Sequence, residues 1–251
     1  QNAFYKMDMS FESSSAVEFS DELMEFISYN AILTSSELAA ERGAYETFKG
    51  SKWDRGLFPI DTIKLLEEER GLSTETPMSS QMDWAPVRES VAKHGMRNSN
   101  CMAIAPTATI SNISGCFPSI EPIYKNIYVK SNQAGEFTVI NSDLITDLKA
   151  LGMWNKMTLE LIKQHDGSIQ DLPGIPDHIK MKYKEVFEIS TSCLIDHAVR
   201  RGKWIDQSQS LNIFANTLSG KMLSDIYNEA WKKGLKTTYY LRTLAASQVD
   251  K

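Results

Sequence analysis

The apolar run CMAIA, bounded by Arg97-Asn98-Ser99 and Pro106, limits the fold of this chain more than any other feature. Uninterrupted apolar residues over so short a length suit a strand covered on both faces, as in a mainly parallel sheet, and predict one at 100–104. The segments PTATISNIS and GCFPSIEP that follow are dense in hydroxyls, Gly and Pro. They read as a loop leading into a helix start. A buried strand feeding such a turn belongs to α/β folds, because parallel strands need crossover connections, which are usually helical.

Helical periodicity supplies most of the remaining chain. Residues 15–43 carry Phe19, Leu23, Phe26, Ile27, Ala31 and Leu38 at helical spacing, which predicts a long scaffold helix with these side chains on one face. Ser13 to Ser15 offer caps at its start, Arg42 suits its negative pole and Gly43 stops it. Shorter helices are predicted at 60–70 and 83–94, the second with Asp83 as cap and Pro86 in the first turn. LSTETPMSSQ between them reads as an exposed loop. Further helices fit about 141–151, 155–165, 178–201 and 219–233. NIYVK at 126–130 and EFTVI at 136–140 flank SNQAG as a hairpin with Gly135 at the turn, and KTTYYLRT at 236–243 closes the pattern as a strand. The expected class is helix-rich α/β with the helices outside, as a single domain over 1–251.

Composition removes several functional classes. The chain has 27 basic and 32 acidic residues, a formal net charge of -5 and no long Lys/Arg cluster. That disfavours nucleic-acid binding by phosphate neutralisation. Three cysteines, Cys101, Cys116 and Cys193, cannot build a disulfide framework, so a reducing, cytoplasmic setting is expected. No basic-then-apolar leader opens the chain and nowhere do about 18 apolar residues run together, so neither secretion nor membrane spanning is expected. Gln1 in place of Met suggests a processed product or a piece of something longer.

Four stretches carry side chains capable of chemistry. Ala105-Pro106-Thr107-Ala108-Thr109-Ile110-Ser111 sets three hydroxyls beside the unpaired N–H groups of a helix start. Such a turn either caps the helix or binds an anion such as phosphate. Tyr239 and Tyr240 are neighbours on the last predicted strand, so their rings point to opposite faces unless the backbone twists them together. A pair in contact can relay a proton-coupled electron; a separated pair is one core ring and one surface ring. Cys193 and His197 are four apart on a helix, as metal ligands can be, but no second pair stands nearby and no metal site is expected. Asp206-Gln207-Ser208-Gln209-Ser210-Leu211-Asn212 is either surface or a hydrogen-bonded network near a site. GxGxxG, the P-loop pattern, GxSxG and HExxH are absent, which disfavours P-loop hydrolases, α/β-hydrolases and the common zincins.

In sequence order, RNSNCMAIAPTATISNISG, SIEPIYKNIYVKS, RGKWIDQSQSLNI and GLKTTYYLRT closely resemble the catalytic large subunit of class I ribonucleotide reductase. SSELAAERGAYETFKGSKWDRGLFPID extends the resemblance over nearly the whole chain. It implies the C-terminal portion of a ten-stranded α/β barrel made of two half-barrels, and reduction of ribonucleoside diphosphates to 2′-deoxyribonucleotides by a thiyl radical. It also assigns Pro106, Thr107, Thr109, Ile110 and Ser111 to the substrate phosphates. Tyr239 and Tyr240 match the family's relay of a radical from a small, metal-containing subunit, and this chain is expected to bind no cofactor directly. Adenosylcobalamin-dependent reductases share the loop but make their radical locally, so the tyrosine pair is what points to class I. The family's thiyl cysteine, in an Asn-x-Cys-x-Glu context, and its nucleotide-sensing domain match nothing in this chain. Turnover is therefore expected to need the remaining N-terminal part of the large subunit, the small subunit and a thioredoxin- or glutaredoxin-type reductant. The other readings are a non-catalytic assembly or regulatory fragment of the reductase and a fragment of an adenosylcobalamin-dependent enzyme. On the relay reading, the loop and the tyrosines border one cavity.

Overall fold

The computed structural model describes residues 1–133, 135–216 and 219–243. In chain order the helices are α1 (Asn2–Lys6), α2 (Ser14–Arg42), α3 (Asp61–Arg70), α4 (Ala85–His94), α5 (Ile110–Ser114), α6 (Ser142–Ala150), α7 (Lys156–Gln164), α8 (Asp177–Lys182), α9 (Thr191–Gly202) and α10 (Gly220–Lys232). The strands are β1 (Ile127–Asn132), β2 (Gly135–Ile140), β3 (Ile213–Ala215) and β4 (Leu241–Thr243). The helix-rich α/β class is as expected.

Helix α2 starts where Ser13 Oγ accepts from Ala16 N at 3.2 Å and stops at Gly43, whose φ of +80° leaves the helical region. Its buried face is not the one the apolar spacing predicts. Leu23, Phe26 and Ile27 are exposed, while Ser20, Asp21, Glu25, Ser28 and Ser36 are buried. The cause is a set of polar anchors. Asp21 accepts from Trp204 Nε1 at 2.6 Å, Arg200 at 2.9 Å and Lys203 Nζ at 3.0 Å. Glu25 accepts from Ser80 Oγ, Trp84 Nε1 and the N–H groups of Gln81 and Met82. Short Ser and Ala side chains bring α2 against α4 and α9, and the carboxylates between them are held by donors because an unpaired buried charge is costly. Glu25 also pins the 72–81 segment, which is a loop as predicted but not a free one. Trp204 stacks flat on Trp84 beneath α2, with centroids 5.6 Å apart.

The helix predicted over 178–201 is divided into α8, a 3-10 turn at Val186–Glu188, and α9. Residues far away in sequence capture the backbone groups that would continue it. Asn126 Nδ2 donates to Tyr183 O at 2.9 Å, and Val186 N donates to Ile123 O at 2.9 Å. Ser190 then caps a new start, its Oγ accepting from Cys193 N.

The predicted hairpin forms, antiparallel, but its strands run further than expected, so that Gly135 opens β2 opposite Asn132 instead of standing in the turn. β3 and β4 pair in parallel, Ile213 opposite Leu241. The strand predicted at 100–104 contracts to one parallel bridge, Ile104 with Gln209, and the strand predicted over 236–243 contracts to β4. Met102 is buried but Ala103 is exposed, because the strip of parallel segments is open on one side and does not close into a barrel among the described residues. Helices α9 and α10 cover the other side through Ile195, Leu211, Ile213 and Ile226.

His197 on α9 is fully buried, with Nδ1 2.8 Å from Ser20 Oγ and Nε2 2.8 Å from Phe11 O. Burial pushes its pKa down to about 4, against the backbone bond to Phe11. The unfolded chain therefore takes up this proton first, and stability falls as pH drops through about 6.5 and on to about 4. The full loss is about 3 kcal/mol for a shift of this size. Urea unfolding at pH 7 and pH 4.5 should show that drop in the native protein and a flatter profile in His197→Gln.

Candidate active site

The site is set by three chain segments lying side by side. Asp206 accepts from the N–H groups of Cys101 at 2.6 Å and Met102 at 2.9 Å, which fixes the start of the first segment against the second. Ile104 N then donates to Ser208 O at 3.2 Å, and Ser210 N donates to Ile104 O at 2.8 Å. On the other side of the central segment, Tyr239 N donates to Leu211 O at 2.7 Å and Ile213 N donates to Tyr240 O at 2.8 Å. Because the segments are parallel, the loop that follows Ile104 and the tyrosine pair lie toward the same end. One strand separates them, a spacing of about 10 Å between the outer chains.

The loop is held in an uncommon shape. Thr107 has φ +50°, a left-handed conformation that a β-branched residue rarely adopts. Ser119 secures it, donating its N–H to Thr107 Oγ1 and its Oγ to Pro106 O, both at 2.9 Å. Ser111 N donates to Thr107 O at 2.9 Å, and Thr109 stands at the N-cap of the single-turn α5. Among the described residues no acceptor takes the N–H groups of Ala108, Thr109 and Ile110. Pro106, Thr109 and Ile110 are exposed, so these groups are open to a ligand. Ser111 is different: it is buried and its hydroxyl turns inward to Ala108 O at 3.3 Å.

The two phenols are in contact, with ring centroids 4.1 Å apart and planes tilted by 45°. The rings meet although both residues bond through their backbones to the central segment. Tyr239 and Tyr240 are 47% and 55% exposed. Hydrogen bonding to Tyr240, together with its charge, pushes the Tyr239 phenol above the usual tyrosine range. The Arg242 guanidinium lies 5.5 Å from the centre of the Tyr240 ring, a cation–π contact.

Several polar groups beside this pair carry no obvious sequence signal. Glu121 is buried and accepts from Asn212 N at 2.9 Å and Asn212 Nδ2 at 3.1 Å; burial pushes its pKa up. Arg201 is also buried, its Nε and one terminal nitrogen have no hydrogen-bond partner, and burial pushes its pKa down to about 10 against the attraction of Glu121. The polar run 206–212 is hydrogen-bonded in large part: Asp206 and Asn212 bond as above and Gln209 Nε2 donates to Ala198 O at 2.7 Å, while Ser210 Oγ and Asn212 Oδ1 are buried without a partner. Burial pushes the Cys101 and Cys193 thiols up to about 11 and about 12, so neither is an activated thiolate. Both nitrogens of His197 are engaged by Ser20 and Phe11, which gives this histidine a structural role rather than one with Cys193.

Among the described residues, none of the best-formed cavities is shared by the loop and the tyrosine pair. Two cavities of about 430 and 380 Å³, both lined by Lys52, Gln207 and Lys236, sit toward the other end of the strip, and neither is bordered by the loop or the tyrosines. The loop and the pair face outward because the parallel strip is open beside them.

The comparisons place this geometry in a family. The family model of the ribonucleotide reductase barrel domain matches residues 1–241. The chain belongs to that family. It is similar to the ribonucleoside-diphosphate reductase subunit alpha of Chlamydia pneumoniae, with 53% identity over 100% of this chain and 24% of the relative. The large subunit from Acanthamoeba polyphaga mimivirus is 39% identical over 96% of this chain and 26% of its own length. Among solved structures, the Actinobacillus ureae class Id ribonucleotide reductase alpha subunit matches with a TM-score of 0.71 at 26% identity, covering 97% of this chain and 37% of that one. The chain thus spans about a quarter of the length of these curated relatives. No helix among the described residues is long and apolar enough to cross a membrane.

The contact between the two phenols can be tested directly. Tyr240→Phe removes the phenol that holds up the Tyr239 pKa, so Tyr239 should titrate at lower pH in the variant. NMR titration of Cζ-labelled tyrosine reads this; an unmoved Tyr239 resonance contradicts the pairing.

Proposed function

We propose that this chain acts as part of the large subunit of a class I ribonucleoside-diphosphate reductase, reducing ribonucleoside diphosphates to 2′-deoxyribonucleoside diphosphates in the cytoplasm. The observation that carries this reading is the contact between Tyr239 and Tyr240 one strand away from the hydroxyl-rich loop. The similarity to ribonucleoside-diphosphate reductase subunits supports the substrate class.

In this reading the loop holds the diphosphate. The N–H groups of Ala108, Thr109 and Ile110 and the hydroxyls of Thr107 and Thr109 donate to phosphate oxygens, with Pro106 shaping the approach. Ser111 contributes by bracing the turn from within rather than by touching the ligand. The tyrosines relay the radical. At each hop one phenol loses an electron and a proton to the neighbouring phenoxyl, and two phenols in contact can pass both between them. The radical originates in a metal-containing small subunit and ends on a cysteine supplied by the rest of the large subunit. A thioredoxin- or glutaredoxin-type protein restores the thiols of the complete enzyme.

Two substitutions separate the roles in the complete, reconstituted reductase. Tyr240→Phe keeps the ring and removes the O–H, so turnover should fall to background while nucleoside diphosphate still binds. Thr107→Ala should instead weaken diphosphate binding by about tenfold, the scale of one hydrogen bond to a charged group. Steady-state kinetics and calorimetry measure both; normal turnover by Tyr240→Phe refutes the relay.

A further inference from the structure

Glu121 belongs to neither the loop nor the tyrosine pair, yet it joins them. Its buried carboxylate spans Asn212, accepting from both the backbone N–H and Nδ2. Asn212 is the residue between Leu211 and Ile213, whose backbone groups hold Tyr239 and Tyr240. Two residues before Glu121, Ser119 grips Thr107 and Pro106. From Pro106 to Tyr240, then, every link is covalent or a hydrogen bond between 2.7 and 3.1 Å. A buried carboxylate placed for stability alone is usually paired with a cation. Glu121 forms no salt bridge among the described residues: the Arg201 and Arg242 charges attract it, but its hydrogen bonds go to Asn212.

We propose that Glu121 is a positioning residue that couples the phosphate loop to the tyrosine pair, so that a nucleoside diphosphate seated on the loop changes the surroundings of Tyr240. This rests on the functional reading above. A phosphate drawn to the N–H groups of 108–110 moves Thr107, and the Ser119 brace carries that movement along the short tether to Glu121. The two-pronged bond to Asn212 resists both sliding and rotation, so the displacement reaches the backbone bonds at Leu211 and Ile213. Closely packed, hydrogen-bonded links transmit such shifts because they cannot absorb them by compression.

The test places 3-fluorotyrosine at position 240 of the complete reductase and follows its fluorine resonance while CDP is added, with calorimetry reporting CDP binding. The native protein should show a CDP-induced shift. Glu121→Gln, which keeps an acceptor for Asn212 N, should retain it, and Glu121→Ala should lose it although CDP still binds. A shift that survives in Glu121→Ala, or its absence in a native protein that binds CDP, overturns the coupling and leaves the functional reading standing. Failure of the native protein to bind CDP removes both. If Glu121→Ala does not fold, Asn212→Ala takes its place: it keeps the backbone bond and loses the side-chain one, so its shift should be smaller than the native one, and an undiminished shift overturns the coupling.

Discussion

The parallel register between residues 102–104 and 207–210 is the constraint on which the site depends. Asp206 sets it by accepting from two consecutive N–H groups, those of Cys101 and Met102, before the first strand-like bond forms. A slip of one residue would turn every side chain of the segment to the opposite face. It would carry the loop after Ile104 away from the level of Leu211 and Ile213, and with it the relation between loop and tyrosines. One carboxylate thus fixes the placement of groups that are about 130 residues apart in sequence.

A second carboxylate does similar work on the scaffold side. Asp21 gathers Trp204, Arg200 and Lys203, and the Lys203 ammonium also donates to the carbonyls of Pro77 and Ser79. Burial of these charges is tolerable only because every one has several partners. The result is directional. An apolar stripe lets a helix rotate or slide at small cost, whereas α2 docked through Asp21, Glu25 and Ser28 has one orientation. Since α9 lies against α2 and also covers β3, that orientation is passed to the parallel strip.

Local signals were legible in the sequence, and long-range capture was not. Ser13, Gly43 and Gly71 mark helix ends because caps and positive φ are properties of a few adjacent residues. The hairpin was legible for the same reason. The buried face of α2 was not, since its serines and acids are inward only by virtue of Trp204, Lys203 and Trp84. The break after α8 depends on Asn126 and Ile123, some 60 residues away. Within the site, the hydroxyl-rich turn and the adjacent tyrosines stood out as motifs, and the family resemblance joined them. Strand alternation alone predicts rings on opposite faces, whereas the two rings are in contact. Glu121 offered no periodicity or spacing to notice, because its role comes from where Asn212 sits in three dimensions.

The brace between Ser119 and Thr107 confines strain to one short turn. It gathers a loop of 12 residues at its base, like a drawstring, and holds Thr107 in a backbone state that costs about 1–3 kcal/mol for a residue of its kind. Closure entropy grows slowly with length, by about 0.6 kcal/mol for each doubling. The far side of the loop is moored separately, since Phe117 N donates to Asn2 Oδ1 and its ring meets that of Tyr5, so the knot at the neck has only the turn at 107–110 to hold in shape.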